Sequence, residues 1–256
     1  MNQTHIAKNK ITTKPITTAP ITTAMTLAAG FGKRMRPLTN DRPKPMVELD
    51  GRPMIDHVLA RLAKAGIKRT IVNLHYKADV LENHLKTRTQ QPEIFFSSER
   101  DAILDTGGGI KQALPLIGDQ PFVLHNSDSV WIETGTDNIA RLMASYDSDK
   151  MDCLLLMAPT KTSLGYDGAG DFFIKADGRL RRRTKDETSP NVFTGVSIQH
   201  PRLFKECPEG AFSVNILWDR AIAKGRVYGI PFEGLWMHVG TPQSLIDATE
   251  ALHDAR

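Results

Sequence analysis

A short segment near the N-terminus combines residue types that suit the binding of an anionic phosphate chain. The apolar run 25–29 ends at Gly30, Gly32 follows, and three cations stand within the next four residues. Lys44 comes shortly afterwards between two prolines. Glycine lets backbone N–H groups approach a ligand closely, whereas Arg34 and Lys44 would add full charges, as a planar fork and a point charge. We therefore expect a strand and then a loop that binds a nucleoside triphosphate.

Two common phosphate-binding motifs do not fit this segment. A P-loop requires Gly-x-x-x-x-Gly-Lys followed by Ser or Thr, but Arg34 follows Gly32-Lys33, and Leu27 stands where the first glycine belongs. A dinucleotide fingerprint requires a third glycine at the position of Met35. The sequence therefore disfavours a nicotinamide or flavin cofactor.

The segments that must position this loop alternate between strand-like and helix-like patterns from residue 25 to about residue 158. Short apolar runs predict buried strands, and amphipathic stretches predict helices between them. The predicted strands are 25–29, 46–49, 70–74, 94–96, 121–124 and 153–158, and the predicted helices begin at 53, 78, 109 and 139. This alternation predicts an α/β fold with a Rossmann-like, mainly parallel sheet flanked by helices. Because ligands bind beyond the carboxyl ends of parallel strands, the loops at Gly30, Gly107 and Asp128 are expected to face one crevice.

The second half of the chain has a different pattern of predicted elements. Asp177-Gly178 predicts a hairpin turn between strands at 172–175 and 180–183. Further strands are predicted at 192–198, 227–230 and 235–239, with helices at 213–224 and 243–252. We expect this half to extend the sheet with mixed strands and to cap the crevice. Residues 1–23, in which Ile-Thr-Thr recurs, predict a flexible arm.

Composition limits the class of partner. The chain has 256 residues, 40% of them hydrophobic, which suffices for one large domain or two small ones. The net charge of +4 is mild, and the basic run 179–183 has no aromatic platform, so we expect phosphorylated small molecules and no nucleic acid. Cys153 and Cys207 match no metal-ligand spacing, which is typical of reduced thiols in a cytoplasmic protein. No apolar run approaches the roughly 20 residues of a membrane span.

Several motifs together resemble one enzyme family. They are Leu-Ala-Ala-Gly-x-Gly-x-Arg-Met-x-Pro-Leu-Thr from Leu27, then Pro-Lys-Pro-Met and Gly-x-Pro-Met-Ile, Thr106-Gly107-Gly108-Gly109-Ile110, Asn126-Ser127-Asp128, Phe193-Thr194-Gly195, and Trp236-Met237-His238-Val239-Gly240-Thr241-Pro242. Over about residues 24–252 this set resembles the sugar-1-phosphate nucleotidylyltransferases. Within that family the chain looks most like the N-acetylmuramate-1-phosphate uridylyltransferases of cell-wall recycling. Small mannose-1-phosphate guanylyltransferase-like members are the close alternative.

The resemblance implies a metal-assisted in-line transfer between a nucleoside triphosphate, with UTP favoured, and a sugar 1-phosphate. Catalysis of this kind consists mostly of positioning and charge neutralisation. Arg34 would stabilise the leaving pyrophosphate, and Lys44 would stand near the reacting phosphates. The implied nucleotide-binding residues are Leu27, Ala29, Gly30, Gly32, Lys33, Arg34, Thr106, Gly107, Gly108 and Asn126. The implied sugar-binding residues are Trp131, Asp171, Thr194 and Gly195, although a tryptophan is more often part of a core.

The same resemblance implies a single domain at 24–256, with a nucleotide-binding half, 24–158, and a sugar-binding half, 159–256. It also implies Mg²⁺ held by Asp128 and His238. His238 departs from the family pattern, which has an aspartate there. A neutral imidazole suits Mn²⁺ better than Mg²⁺, so either ion remains open, and His238 could instead hydrogen-bond a phosphate or a metal-bound water. This departure also leaves open a non-catalytic, nucleotide-binding relative.

Overall fold

A computed structural model describes residues 20–256, so the predicted arm lies, up to residue 19, outside the described residues. The strands are β1 Thr23–Leu27, β2 Glu48–Leu49, β3 Arg52–Pro53, β4 Arg69–Leu74, β5 Glu93–Ser98, β6 Phe122–Asn126, β7 Ser129–Ile132, β8 Cys153–Pro159, β9 Phe172–Ile174, β10 Leu180–Arg182, β11 Asn191–Gln199, β12 Val227–Pro231 and β13 Leu235–His238. The α-helices are α1 Met54–Lys64, α2 Ala78–Lys86, α3 Asp105–Ile117, α4 Asn138–Ser145, α5 Asn215–Ala223 and α6 Pro242–Asp254.

A central sheet carries most of these strands in the order β10-β9-β11-β6-β1-β4-β5, with β8 joined to β11 and β12 joined to β8. Strands β5, β4, β1 and β6 run parallel, whereas β11 runs antiparallel to β6 and β8. The predicted mainly parallel α/β sheet, extended by mixed strands from the second half, is therefore confirmed. Parallel order brings the carboxyl ends of β1, β4 and β6 to one edge.

Alternation along the strands explains why helices cover both faces of this sheet. Successive side chains of a strand point to opposite faces. On β1, Ala24 joins the apolar cluster that contains residues of α1, α2 and α4, whereas Met25 joins the cluster that contains residues of α3 and α5. Both side chains are fully buried. The continuous apolar run of β1 is thus the signature of a strand covered on both sides.

Strand β7 was not predicted, and it determines where β13 lies. It pairs antiparallel with β13, and the register sets Ser129 opposite His238. The indole Nε1 of Trp236 donates to Ser129 Oγ at 2.9 Å and to the carbonyl of Thr194 at 3.0 Å. This small sheet therefore carries His238 to the crevice. The next residues begin α6, where the side chain of Thr241 caps the N–H of Ser244 at 3.2 Å.

Two predicted boundaries were wrong. Of the predicted strand 46–49 only Glu48–Leu49 is a strand, β2, because the N–H groups of Met46 and Val47 donate within the 3-10 turn at Lys44–Met46, to the carbonyls of Pro43 and Lys44. Helix α3 begins at Asp105, so the three glycines lie inside its first turns instead of in a loop before it. A Cβ on Gly107 would lie 2.3 Å from the ring of Phe212. Glycine is required there because two backbone segments pack directly on each other.

Candidate active site

A cavity of about 700 Å³ opens at the carboxyl edge of the sheet, and we call it the first cavity. It is lined by the loop after β1, the ends of β4 and β6, the segment after β5 and the start of α3, through Leu27, Ala28, Ala29, Gly30, Gly32, Lys44, Pro45, Asn73, Glu99, Ile103, Asp105, Thr106, Asn126, Ser127 and Asp128. The three segments expected to converge, around Gly30, the start of α3 and Asp128, do meet here. The alternation of strands and helices was sufficient to predict this convergence.

The loop after β1 has a backbone conformation that needs glycine. Gly32 has a φ of +61°, and a Cβ there would stand 3.0 Å from the Cβ of Lys44 and 3.1 Å from Thr39. Thr39 Oγ1 donates to the carbonyl of Gly32 at 2.9 Å, and the fully buried Met35 anchors the following turn. The loop is thus folded tightly against Lys44, so that its backbone and this ammonium border the same cavity.

Lys44 and Asp128 form the central ion pair of the site. Lys44 Nζ donates to Asp128 Oδ2 at 2.7 Å, although the residues are 84 positions apart in the chain. The side chains are 12% and 26% exposed, so both charges are partly removed from water. Burial raises the pKa of Asp128, but the charge and hydrogen bond of Lys44 outweigh it and hold the pKa below its usual value. Asp128 is therefore ionised at neutral pH and available to a cation.

Arg34 and His238 form a second contact, and both line a further cavity beside Tyr166 and Gly240 and not the first cavity. Arg34 Nη2 lies 3.4 Å from His238 Nε2. Because a guanidinium only donates, Nε2 is the accepting nitrogen of a neutral imidazole. Burial lowers the pKa of His238, against the opposing effect of Asp128. The positions predicted for metal binding, Asp128 and His238, thus both face cationic side chains.

The donor set fits Mg²⁺ only in combination with substrate. Within residues 20–256 no group of three or more His, Cys, Asp or Glu side chains is arranged to hold a metal ion. Asp128 supplies one carboxylate, and His238 supplies nitrogen, which Mg²⁺ binds less readily than oxygen. Mg²⁺ is commonly held by one or two carboxylates plus substrate phosphates and water. These residues therefore fit a Mg²⁺ ion that takes most of its ligands from a bound triphosphate.

Sequence reasoning missed a buried polar bridge beside the first cavity. Asn73 Oδ1 accepts the N–H of Ala28 at 2.6 Å, and Asn73 Nδ2 donates to Glu99 Oε1 at 2.7 Å. Glu99 Oε2 accepts the N–H of Leu104 at 2.9 Å. Both side chains are only 3% exposed. The bridge fixes the loop after β1 relative to the segment before α3. Polar residues at the ends of two buried parallel strands were the signal that could have found it.

The predicted base-contact residues separate into two groups. Thr106 lines the first cavity, and its Oγ1 accepts the N–H of Val214 at 3.0 Å. Gly107 and Gly108 are buried, and both donate their backbone N–H to the carbonyl of Phe212, at 2.8 and 3.2 Å. The structure thus gives these two glycines a packing contact and brings Asp105 and Thr106 to the cavity in their place.

The predicted sugar-contact residues also separate. Asp171 lines a second cavity that adjoins the first, and Gly195, with a φ of +85°, packs against the side chain of Asn126. Thr194 is 1% exposed and donates its Oγ1 hydrogen to the carbonyl of Leu156 at 2.9 Å. Trp131 is 2% exposed and stacks on the ring of His125, with centroids 5.4 Å apart. Contact between substrate and the side chains of Thr194 or Trp131 would require the core to open.

Comparison with known proteins gives concordant matches. Residues 23–168 match the family described as nucleotidyl transferase. The chain is 47% identical to N-acetylmuramate alpha-1-phosphate uridylyltransferase of Caulobacter vibrioides, over 91% of this chain and 97% of that protein. It is 33% identical to the protein of the same name from Neisseria meningitidis, over 88% of this chain and 96% of the relative. A crystal structure of UDP-glucose pyrophosphorylase complexed with UDP-glucose shares the fold, with a TM-score of 0.76 at 16% identity, covering 92% of this chain and 100% of that one.

Proposed function

The chain belongs to the nucleotidyl transferase family, and we propose that it transfers a uridylyl group from UTP to N-acetylmuramate 1-phosphate. Near-full-length similarity to two N-acetylmuramate alpha-1-phosphate uridylyltransferases supports the choice of substrates. One observation carries the chemistry: the 2.7 Å pair of Lys44 and Asp128 stands at the mouth of a tight glycine loop after a buried parallel strand. A cation, a carboxylate and exposed backbone donors are the groups that a reaction between two phosphates needs.

The reaction proposed for this site is an in-line displacement at phosphorus. A phosphate oxygen of the sugar 1-phosphate forms a bond to the α-phosphorus of UTP. The bond from that phosphorus to the oxygen that bridges to the β-phosphorus breaks, and pyrophosphate leaves with the electron pair. The nucleophile is already ionised, so no side chain has to remove a proton. The protein has to hold two mutually repelling anions in line and neutralise their charge.

Each charged residue of the site has a place in this scheme. The loop at Gly30–Lys33 would present backbone N–H groups to the β- and γ-phosphates, and Arg34 would neutralise the departing pyrophosphate. Lys44 would move from Asp128 to the α-phosphate, where negative charge accumulates. Asp128 would then hold Mg²⁺ together with the triphosphate oxygens, with Mn²⁺ as the alternative ion. When bound, the ion would supply positive charge that neutralises the phosphate oxygens.

The two halves of the chain would divide the work. Residues 24–158 would bind the nucleotide, with Leu27, Ala29, Thr106 and Asn126 at the nucleoside, and residues 159–256 would bind the sugar, with Asp171 and Gly195 near it. The proposed reaction consumes UTP and converts N-acetylmuramate 1-phosphate into a nucleotide sugar. We propose that it takes place in the cytoplasm, as a step of cell-wall recycling. Among residues 20–256, no helix has both the length and the apolar character that crossing a bilayer requires.

A pyrophosphate-release assay tests this proposal. The purified protein is given UTP with N-acetylmuramate 1-phosphate, and separately GTP with mannose 1-phosphate, with Mg²⁺ present. We expect the first pair to release pyrophosphate at least tenfold faster and to yield UDP-N-acetylmuramate by mass spectrometry. Faster release with the second pair would support the guanylyltransferase alternative and contradict the proposal.

The Asp128→Asn variant separates a catalyst from a non-catalytic binder. We expect turnover to fall by about 100-fold or more, because the variant loses its metal-binding charge, as when a transition-state contact is removed. Nucleotide affinity, measured by calorimetry, should change far less. A parent protein that binds UTP but releases no pyrophosphate with any sugar 1-phosphate would indicate a regulatory relative instead.

A further inference from the structure

The second cavity, of about 680 Å³, lies beside the first and shares Leu27, Asp105, Thr106 and Asn126 with it. Its remaining wall comes from β9, β10, β11 and from the start of α5. The sheet order β9-β11-β6-β1-β4-β5 sets this cavity on one side of Asn126, whereas Asn73 and Glu99 stand on the other side. A nucleotide in the first cavity would thus leave the second one to the sugar.

Three aromatic rings form one wall of the second cavity. The rings of Phe193 and Trp218 meet edge to face at 5.0 Å, and those of Phe172 and Trp218 at 6.3 Å. Trp218 is 3% exposed, and its Nε1 has no hydrogen-bond partner within residues 20–256. The ring of Trp218 therefore contributes an aromatic surface to the cavity, whereas its buried Nε1 has essentially no accessible area.

Arg182 brings a preorganised cation to the same wall. Its Nε donates to Asp219 Oδ1 at 2.5 Å, its Nη2 donates to Asn215 Oδ1 at 2.9 Å, and its guanidinium lies 4.6 Å from the ring centre of Phe172. Within residues 20–256 no acceptor hydrogen-bonds to Nη1, and the side chain is one third exposed. The fork is fixed by two bonds and retains donors for a further oxygen ligand.

Each of the two carboxylates that line the second cavity has one oxygen engaged by a backbone N–H. Asp105 Oδ1 accepts the N–H of Thr106 at 2.5 Å, and Asp171 Oδ2 accepts the N–H of Phe193 at 2.8 Å. Arg182 is the one Lys or Arg among the described residues that line this cavity, and its Nη1 is a donor to which none of them supplies an acceptor. The cavity therefore offers a bound ligand an aromatic face and one guanidinium donor.

We propose that the second cavity binds the acidic substituent of the sugar 1-phosphate, and that Arg182 selects substrates by receiving its carboxylate. N-acetylmuramate 1-phosphate carries such a group, the lactyl ether, and this inference rests on the function proposed above. Arg182 contacts the substituent and not the reacting phosphates, so it determines specificity without taking part in the transfer.

The test compares two substrates that differ only in the acidic group. N-acetylglucosamine 1-phosphate has the same ring and N-acetyl group as N-acetylmuramate 1-phosphate but lacks the lactyl ether. In Arg182→Gln we expect kcat/KM for N-acetylmuramate 1-phosphate to fall by about 10- to 100-fold, mainly through KM, as for loss of a charged hydrogen bond. The value for N-acetylglucosamine 1-phosphate should stay within about twofold, which also shows that the variant folds.

Arg181→Gln is the matched control, because it removes the neighbouring cation from the same strand. Arg181 points elsewhere and donates from Nη1 and Nη2 to Glu187 at 2.7 and 3.0 Å. We expect this variant to keep the substrate preference of the parent.

The outcomes distinguish this inference from the function on which it rests. A parent that prefers N-acetylglucosamine 1-phosphate overturns both. A parent that prefers N-acetylmuramate 1-phosphate, with an unchanged preference in Arg182→Gln, overturns the role of Arg182 alone. Equal losses on both substrates, or a raised KM for UTP instead, would also overturn it, since they indicate a structural role or a nucleoside in the second cavity.

Discussion

The first and second cavities lie on either side of Asn126, yet the chain assembles them differently. The first is built mainly from segments that directly follow parallel strands, and its central charges pair at 2.7 Å. The second is built largely from antiparallel strands and the start of α5, and its arginine, Arg182, pairs with the exposed carboxylate of Asp219. The comparison suggests that chemistry common to all substrates resides in the first cavity and that selection of the sugar resides in the second. The predictions below test this division.

Lys44→Ala should have the largest effect. It removes the charge proposed to act at the α-phosphate and leaves the carboxylate of Asp128 without its partner, so we expect kcat to fall by about 100-fold or more. The loss should be the same for acidic and neutral sugar 1-phosphates, as measured by pyrophosphate release. Lys64→Ala, which removes an exposed lysine paired with Glu133 at 3.1 Å, is the control and should be close to the parent. A changed sugar preference in Lys44→Ala would contradict the proposed division of roles between the two cavities.

His125 lies on β6, the strand between the two cavities, and its pH dependence tests whether this strand must stay uncharged. It is fully buried, and burial lowers its pKa to about 4. The unfolded chain, with a pKa near 6.5, binds the proton more readily, so stability is present above about pH 6.5 and is lost as pH falls toward 4. Through this single group, the free energy of unfolding of the parent should fall by about 2 kcal/mol between pH 7 and pH 5.

Urea denaturation of the parent and of His125→Gln at both pH values measures that cost. We expect the variant to lose about 2 kcal/mol less than the parent over this interval, since its amide does not titrate. His253→Gln is the control, because His253 is exposed. Equal pH dependence of the parent and His125→Gln would show that His125 is not held neutral by the fold.

Glu99→Gln should affect the nucleotide side only. A glutamine amide can still accept from Asn73, but its NH₂ would face the N–H of Leu104, so the bond at 2.9 Å is lost. We expect KM for UTP to rise by about tenfold, which corresponds to one buried hydrogen bond, with KM for the sugar 1-phosphate unchanged. Glu93→Gln, at an exposed position on β5, is the control. A changed KM for the sugar 1-phosphate instead would show that the two cavities are functionally coupled.

His238→Asp should have the smallest effect on rate. The change restores an oxygen ligand of the type that Mg²⁺ prefers, so we expect turnover with Mg²⁺ to persist within about threefold. The Mg²⁺ concentration for half-maximal rate should fall, and Mn²⁺ binding to the nucleotide-free variant, followed by electron paramagnetic resonance, should tighten. Abolished turnover in this variant, alongside a parent that works best with Mn²⁺, would instead support His238 as a nitrogen ligand.

Local patterns were sufficient for most of the fold. The apolar run at β1, the proline at the start of α6 and the turn at Asp177-Gly178 each act within a few residues of themselves, and the expected elements were found at these places. The three glycines of α3 were misjudged because a Cβ there would clash with residues that only the fold brings close, namely Phe212 at Gly107, Gly210 at Gly108 and Glu99 at Gly109. Strand β7 was missed because its four residues are recognised as a strand only when β13 pairs with them.

Local sequence was sufficient to predict the glycine loop after β1, the alternation that builds the parallel sheet, and the family to which the chain belongs. These depend on backbone conformation, strand periodicity and contiguous motifs, all of which are local. Tertiary structure decided which distant charges meet: Lys44 with Asp128, Arg34 with His238, and Arg182 with the aromatic wall of the second cavity. Such pairs depend on how the strands are ordered in the sheet. The residues next to a side chain in sequence therefore do not indicate which distant residue it will contact.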